Sequence, residues 1–366
     1  MHNPVHDAMT WTRADFGSLD AVTFALDDAM RGELAAGAVP QGAPVPAMPK
    51  LDALLARAQH EVQSGRGMAL LRGLPTAGMP TAGMPSAGMS NAGLTLAAFT
   101  QAVWAVGTRF GFALSQNAQG ELITQVIDAT SVEPTPRMYR SNLELRLHND
   151  ITAMLSLACW QPSMEGGLSY LASAGAIHNE ILARAPQLLE PLYRGFHYHR
   201  LGEEGEGEAE VTPYRMPVFT LRSGQLSCRY QRAGIAAGHG ALWLPLTDTE
   251  TAALDLFDEV AKAPHNRISL ALDKGEMLVI NNYAVLHART GFVEYPEPER
   301  RRLLIRLWLD REGFRDVPPE LNLFASNGVP PQPGRACTYD FRALYANDPR
   351  ASGGVPSLNE SLEKTA

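Results

Sequence analysis

The chain has 366 residues, 45% of them hydrophobic and 19% charged, enough for one large or two small soluble domains with a sizeable core. Its formal net charge of −8 argues against nucleic acid or an anionic membrane as a partner. The scattered cysteines Cys159, Cys228 and Cys337 suggest neither a disulfide framework nor a CxxC metal knuckle, so free thiols in a reducing compartment are expected.

The N-terminus lacks a basic region followed by an apolar run, and no stretch reaches the roughly 18 apolar residues of a membrane helix. A cytoplasmic protein acting on a small molecule is expected, with no nucleic-acid or membrane partner; self-association as a homo-oligomer stays open. Residues 1 to about 66 read as a mostly helical part, with LDALLARAQHEVQ its clearest helix. GMALLRGLP reads as a buried strand closed by Gly and Pro. Residues 76–95 repeat a pentad, TAGMP, about four times; a Gly- and Pro-rich unit this short buries no core, so a surface-loop insertion is expected.

LAAFTQAVWAVGTRFG has helical spacing, 121–128 (ELITQVID) reads as a strand, and 129–141 as a loop. AGAIHNEILARAPQLLEPLYRGF reads as one or two helices. LGEEGEGEAEVTP reads first as a solvated acidic loop and second as a lid. From Val218 the pattern turns β-like, interrupted by one helix, DTETAALDLFDEVAKA, behind a Thr247–Glu250 capping box. Residues 311–366, rich in Pro and Gly, read as a surface extension. No boundary splits the chain, so 1–366 reads as one α+β domain on an antiparallel β-sandwich or barrel.

Two His-x-acid triplets occur, His148-Asn149-Asp150 and His178-Asn179-Glu180, where chance gives about one. His178 lies in a helical pattern, and residues two apart on a helix point about 200° apart. In ELRLHND, Leu145 and Leu147 alternate with Glu144, Arg146, His148 and Asp150, a strand pattern that puts the polar four on one face. That face is either solvent-exposed or the wall of a site. A metal would need a third ligand from a rigid element, and His287, closing KGEMLVINNYAVLHART, qualifies. In RLLIRLWLD, Arg302, Leu304, Arg306 and Trp308 share one face. The two arginines are either a surface pair or a carboxylate grip.

Together, His148-x-Asp150, Gly166-Gly167-Leu168-Ser169, His287 and Arg302…Arg306 resemble the taurine dioxygenase-like (TauD/TfdA) iron(II)/2-oxoglutarate oxygenases, over about Gly67 to Asp310. The wording of NNYAVLHARTGF and RRLLIRLWLD adds to the resemblance. It implies a double-stranded β-helix (jelly-roll) core over about 120–310 with surrounding helices. It implies Fe(II) on His148, Asp150 and His287, with 2-oxoglutarate and O2 as cosubstrates. Arg302 and the Ser169 hydroxyl would hold the distal carboxylate of 2-oxoglutarate; relatives often carry threonine there. Arg306 matches a substrate-facing position. Asp150 keeps the carboxylate that halogenases lack, which favours hydroxylation, with desaturation, epoxidation and cyclisation open.

Glu144, Arg146, Gln116 and Asn117 are further substrate-side candidates, and His197 and His199 read as polar strand positions. A small polar molecule, an amino acid or derivative, is the expected substrate. A metal-dependent hydrolase would have no use for Ser169 and Arg302, and a non-catalytic jelly-roll module would not need the triad.

Overall fold

The computed structural model describes residues 2–76, 95–132, 138–325 and 328–332. The pentad repeat apart from its first and last residues, part of the 129–141 loop, Cys337 and most of the C-terminal extension lie outside them. Among the described residues no helix is long and apolar enough to cross a membrane.

The strands are β1 (Thr23–Ala25), β2 (Met68–Arg72), β3 (Phe112–Ala113), β4 (Thr124–Val126), β5 (Leu145–His148), β6 (Met154–Gln161), β7 (Glu165–Gly166) and β8 (Ser169–Ser173). They continue with β9 (Phe219–Arg222), β10 (Gln225–Cys228), β11 (Arg267–Leu270), β12 (Glu276–Asn281), β13 (Val285–Arg289), β14 (Phe292–Val293) and β15 (Leu303–Asp310). The α-helices are α1 (Asp28–Gly37), α2 (Pro49–Ser64), α3 (Leu96–Phe110), α4 (Ala174–Arg184), α5 (Leu189–Arg194), α6 (Arg232–Ala241) and α7 (Asp248–Lys262). A seven-stranded sheet runs β1-β2-β12-β6-β15-β3 with β4 on β15, and a four-stranded sheet runs β11-β8-β13-β5. The two face each other as a jelly roll.

β12 shows how the layers form. All six of its residues are buried. Met277 and Val279 pack outward with α2 and α3 residues such as Val62 and Val103, while Leu278 and Ile280 point inward. A strand covered on both faces reads as an unbroken apolar run. α3 starts at Thr95, whose hydroxyl accepts the Ala98 amide, and lays Val103, Val106 and Phe110 on that outer face. The expected capping box on α7 is present, with Thr247 and Glu250 reciprocally bonded. Cys159 and Cys228 are buried free thiols.

The sequence pattern missed α6. Its RAGIAAGHGA composition has poor helix propensity, but its glycines serve close approach. A Cβ on Gly238 would lie 2.5 Å from the His197 carbonyl oxygen, and one on Gly234 would lie 3.2 Å from the Tyr198 ring. The helix is thereby seated against residues 197–199, at the rim of the interior.

Candidate metal and cosubstrate site

The interior holds a cavity of about 340 Å³ walled by both sheets. The large sheet supplies Leu155 and Leu157 (β6), Leu278 and Ile280 (β12), and Arg306 and Trp308 (β15). The small sheet supplies Leu145 and His148 (β5), Ser169 and Leu171 (β8), and His287 and Arg289 (β13).

His148, Asp150 and His287 each turn one ligand-type atom to a common point, with those atoms within 4.8 Å of one another. β13 pairs with β5 so that His287 stands opposite His148, with ring centroids 4.3 Å apart. Asp150 follows the end of β5; its Oδ1 lies 3.5 Å from His148 Nε2 and its Oδ2 4.0 Å from His287 Nε2. The His148 Nδ1–H donates to the Arg146 carbonyl at 2.8 Å, which leaves the Nε2 lone pair facing the cluster.

Asp150 is held from three sides. The Trp308 indole N–H donates to its Oδ2 at 2.8 Å, and Arg306 Nη1 lies 3.5 Å from the same oxygen. Its backbone carbonyl accepts from Asn282 and Arg229. Burial alone would raise its pKa; the adjoining His148 ring and the Arg306 charge overcome this and hold the carboxyl well below the usual range. Burial, aided by the neighbouring His148, pushes His287 down to about 3, so it is a neutral imidazole at pH 7. The His287 Nδ1 is buried without a hydrogen-bond partner. Two imidazoles and one carboxylate are a donor set that suits ferrous iron.

Gly166 and Gly167 both take left-handed φ, 70° and 67°, and carry the chain into β8. A Cβ on Gly166 would lie 2.2 Å from the Gly291 carbonyl oxygen, and one on Gly167 would lie 3.4 Å from Arg302 Nε. The double glycine thus brings Arg302 close to the start of β8, where Ser169 opens the strand. Arg302 immediately precedes β15. Arg306 donates from Nε to Gln116 Oε1 at 2.7 Å and lies over the rings of Tyr139 and Trp308.

Several expected positions sit elsewhere. Glu144 and Arg146 are exposed and do not line the cavity. The reason is a bulge: the step Leu145 to His148 spans the shorter step Arg289 to His287, which reverses the phase of β5. Arg146 contributes its carbonyl to His148, not its guanidinium to the cavity. Asn117 also lies outside the wall; its side chain closes the 117–121 turn by accepting from the Gln119 and Glu121 amides. Gln116 does line the cavity and anchors Arg306. His197 and His199 are not in the donor cluster; His199 lines the cavity and pairs with Glu210 at 2.7 Å. The acidic loop is not purely solvated, since Leu201 and Glu203 at its start also form wall.

The sequence reading passed over Arg229, Asn282 and Arg289. Arg289 was findable, because it stands two residues beyond His287 and so shares its strand face. Burial lowers the Arg289 guanidinium to about 9, with the Arg302 charge adding to the effect.

A family model described as "Taurine catabolism dioxygenase TauD, TfdA family" matches residues 31–308. The FR-33289 synthase of Streptomyces rubellomurinus (strain ATCC 31215) is 31% identical over 338 residues, covering 88% of this chain and 95% of that one. Among solved structures, an asparagine oxygenase in complex with Fe(II), 2S,3S-3-hydroxyasparagine and succinate aligns with a TM-score of 0.58 at 17% identity, covering 83% of this chain and all of that one. The non-heme iron oxygenase OrfP in complex with Fe, succinate and (3R,4R)-dihydroxy-L-Arg gives a TM-score of 0.56 at 14% identity, covering 79% and 94%.

Proposed function

The chain belongs to the TauD/TfdA family of taurine catabolism dioxygenases, and from that premise we propose which residues run its reaction and on what class of molecule. It is an Fe(II)- and 2-oxoglutarate-dependent dioxygenase. Ferrous iron, when bound, would supply the chemistry by which O2 and the oxidative decarboxylation of 2-oxoglutarate, to succinate and CO2, are coupled to hydroxylation of a substrate C–H bond.

His148, Asp150 and His287 hold the metal, and three protein donors leave room for the cosubstrate beside them. Trp308 and Arg306 fix the orientation of the Asp150 carboxylate. Ser169 and Arg302 take the distal carboxylate of 2-oxoglutarate, a charge-assisted contact. The leucine and isoleucine walls keep water from the reacting centre. The substrate side is the rim formed by Tyr198–Leu201, Glu203 and Gln231. Arg200 and Glu203 put opposite charges on that rim, which suits a small amino acid or derivative. The hydroxy-amino acids named with the two similar structures support the same class.

The observation that carries this reading is the convergence of three donor atoms within 4.8 Å in a cavity whose wall also holds Ser169 and Arg302. Anaerobic addition of Fe(II) and 2-oxoglutarate tests it: a weak visible charge-transfer band is expected. No band, with metal loading verified, overturns the reading. A succinate-release screen over amino acids then identifies the substrate.

A further inference from the structure

Arg289 is a buried cation with donors to spare. It is 5% exposed and lines the cavity. Its Nη2 donates to the carbonyls of Ser141 at 2.6 Å and Leu143 at 2.5 Å, which pins the guanidinium in one orientation. Its Nε and Nη1 are buried and meet no acceptor. Asp128 and Glu294 act on its charge through space, yet neither satisfies those two nitrogens. A buried charged donor left unmet is costly, and an acceptor that enters from outside the chain accounts for it.

Three placements say what that acceptor is. Arg289 stands directly across the β13–β8 ladder from Ser169. Its guanidinium carbon lies 4.7 Å from the Phe292 ring centroid, and that of Arg302 lies 4.9 Å from the same ring. The chain thus gathers two guanidinium groups around one ring, next to the hydroxyl at the start of β8. Asp128 and Glu294 supply negative charge nearby, but the two Arg289 nitrogens still lack an acceptor, which a carboxylate entering beside Ser169 would provide.

We propose that Arg289 is a second guanidinium for the distal carboxylate of 2-oxoglutarate, clamping it with Arg302 opposite the Ser169 hydroxyl. This rests on the reading that the carboxylate enters between Ser169 and Arg302, and it adds a residue that selects a dicarboxylic over a monocarboxylic 2-oxo-acid.

The test uses the full chain loaded anaerobically with Fe(II) and two probes, 2-oxoglutarate and 2-oxopentanoate, which has the same five carbons without the distal carboxylate. Titration of the charge-transfer band gives a Kd for each. Arg289→Gln is expected to weaken 2-oxoglutarate about 10- to 100-fold and leave 2-oxopentanoate unchanged. Arg289→Lys, which keeps the cation and guards against a folding failure, is expected to lose at least about threefold of the preference. An unchanged preference in either folded variant, or an equal loss for both probes, overturns the proposal. Arg302→Gln separates the two levels of argument. If it abolishes the preference while the Arg289 variants keep it, only the clamp fails; if wild type shows no preference, the carboxylate site itself was misplaced.

Discussion

Trp308 touches the proposed metal site through a single hydrogen bond, from its indole N–H to Asp150 Oδ2. Trp308→Phe removes that bond and keeps a ring in the wall. Loss of a group that orients a ligand typically costs 10- to 100-fold in metal affinity, so iron affinity measured by chelator competition should fall by about that factor; an unchanged affinity would show that Arg306 and the histidines suffice. His148→Ala should abolish iron binding altogether, read as metal content after dialysis. Arg302→Ala should retain iron but weaken 2-oxoglutarate about 10- to 100-fold, and equal cosubstrate affinity would show the arginine was misassigned. At this scale the proposed metal ligands stood out because His148 and Asp150 share a short polar motif and His287 closes an apolar strand. Arg289 was passed over because its two committed acceptors are backbone carbonyls 148 and 146 residues away in the chain.

Within the individual elements, periodicity identified most of them, and it failed where one residue changes the phase. Alternation through ELRLHND placed Glu144 and Arg146 beside His148; the extra residue between Leu145 and His148 turns them out to solvent. A bulge has no compositional mark here. α6 failed for another reason, since its glycines are placed for contact with residues 197–199 and not for helix propensity.

The Gly-Gly turn before β8 makes a sharp prediction. Gly166→Ala sets a Cβ 2.2 Å from a carbonyl oxygen at a left-handed φ, so the variant should lose about 2 kcal/mol or more in denaturant unfolding. α7 offers a second. Burial opposes ionisation of Glu250, yet the Thr247 amide and Arg215 hold its carboxyl down at about 2. A depressed folded-state pKa contributes stability above the unfolded value near 4.5 that disappears as pH falls through about 2. Glu250→Gln should therefore cost about 2 kcal/mol at pH 7, with the gap from wild type closing between pH 4.5 and 2 in thermal melts. A gap that persists at low pH would mean the loss comes from packing.

Across the whole molecule, the proposed cosubstrate site joins the two sheets, with Ser169 and His287 on one and Arg302 leading into the other. A ligand that binds only the folded state at 100 times its Kd adds about 2.7 kcal/mol. Held as proposed, iron alone would tie β5 to β13 within the small sheet, whereas 2-oxoglutarate would span the gap. Calorimetry should show Tm rising with iron and rising again by several degrees with 2-oxoglutarate. No second rise would argue against a site that bridges the sheets. An antiparallel sandwich or barrel was legible in the β-like segments and the jelly roll in the family resemblance, but strand order was not, because neighbours such as β12 and β2 lie some two hundred residues apart.

An indole bonded to the carboxylate at 2.8 Å is also an optical gauge. Ferrous iron arriving there would drain its excited state, whereas Trp243, 92% exposed on the surface, would go on emitting. With Trp243 changed to phenylalanine to lower the background, near-ultraviolet fluorescence should still dim in part as metal is titrated in, the remaining emission coming from Trp11, Trp104 and Trp160, so occupancy is readable in the resting enzyme with neither dye nor turnover.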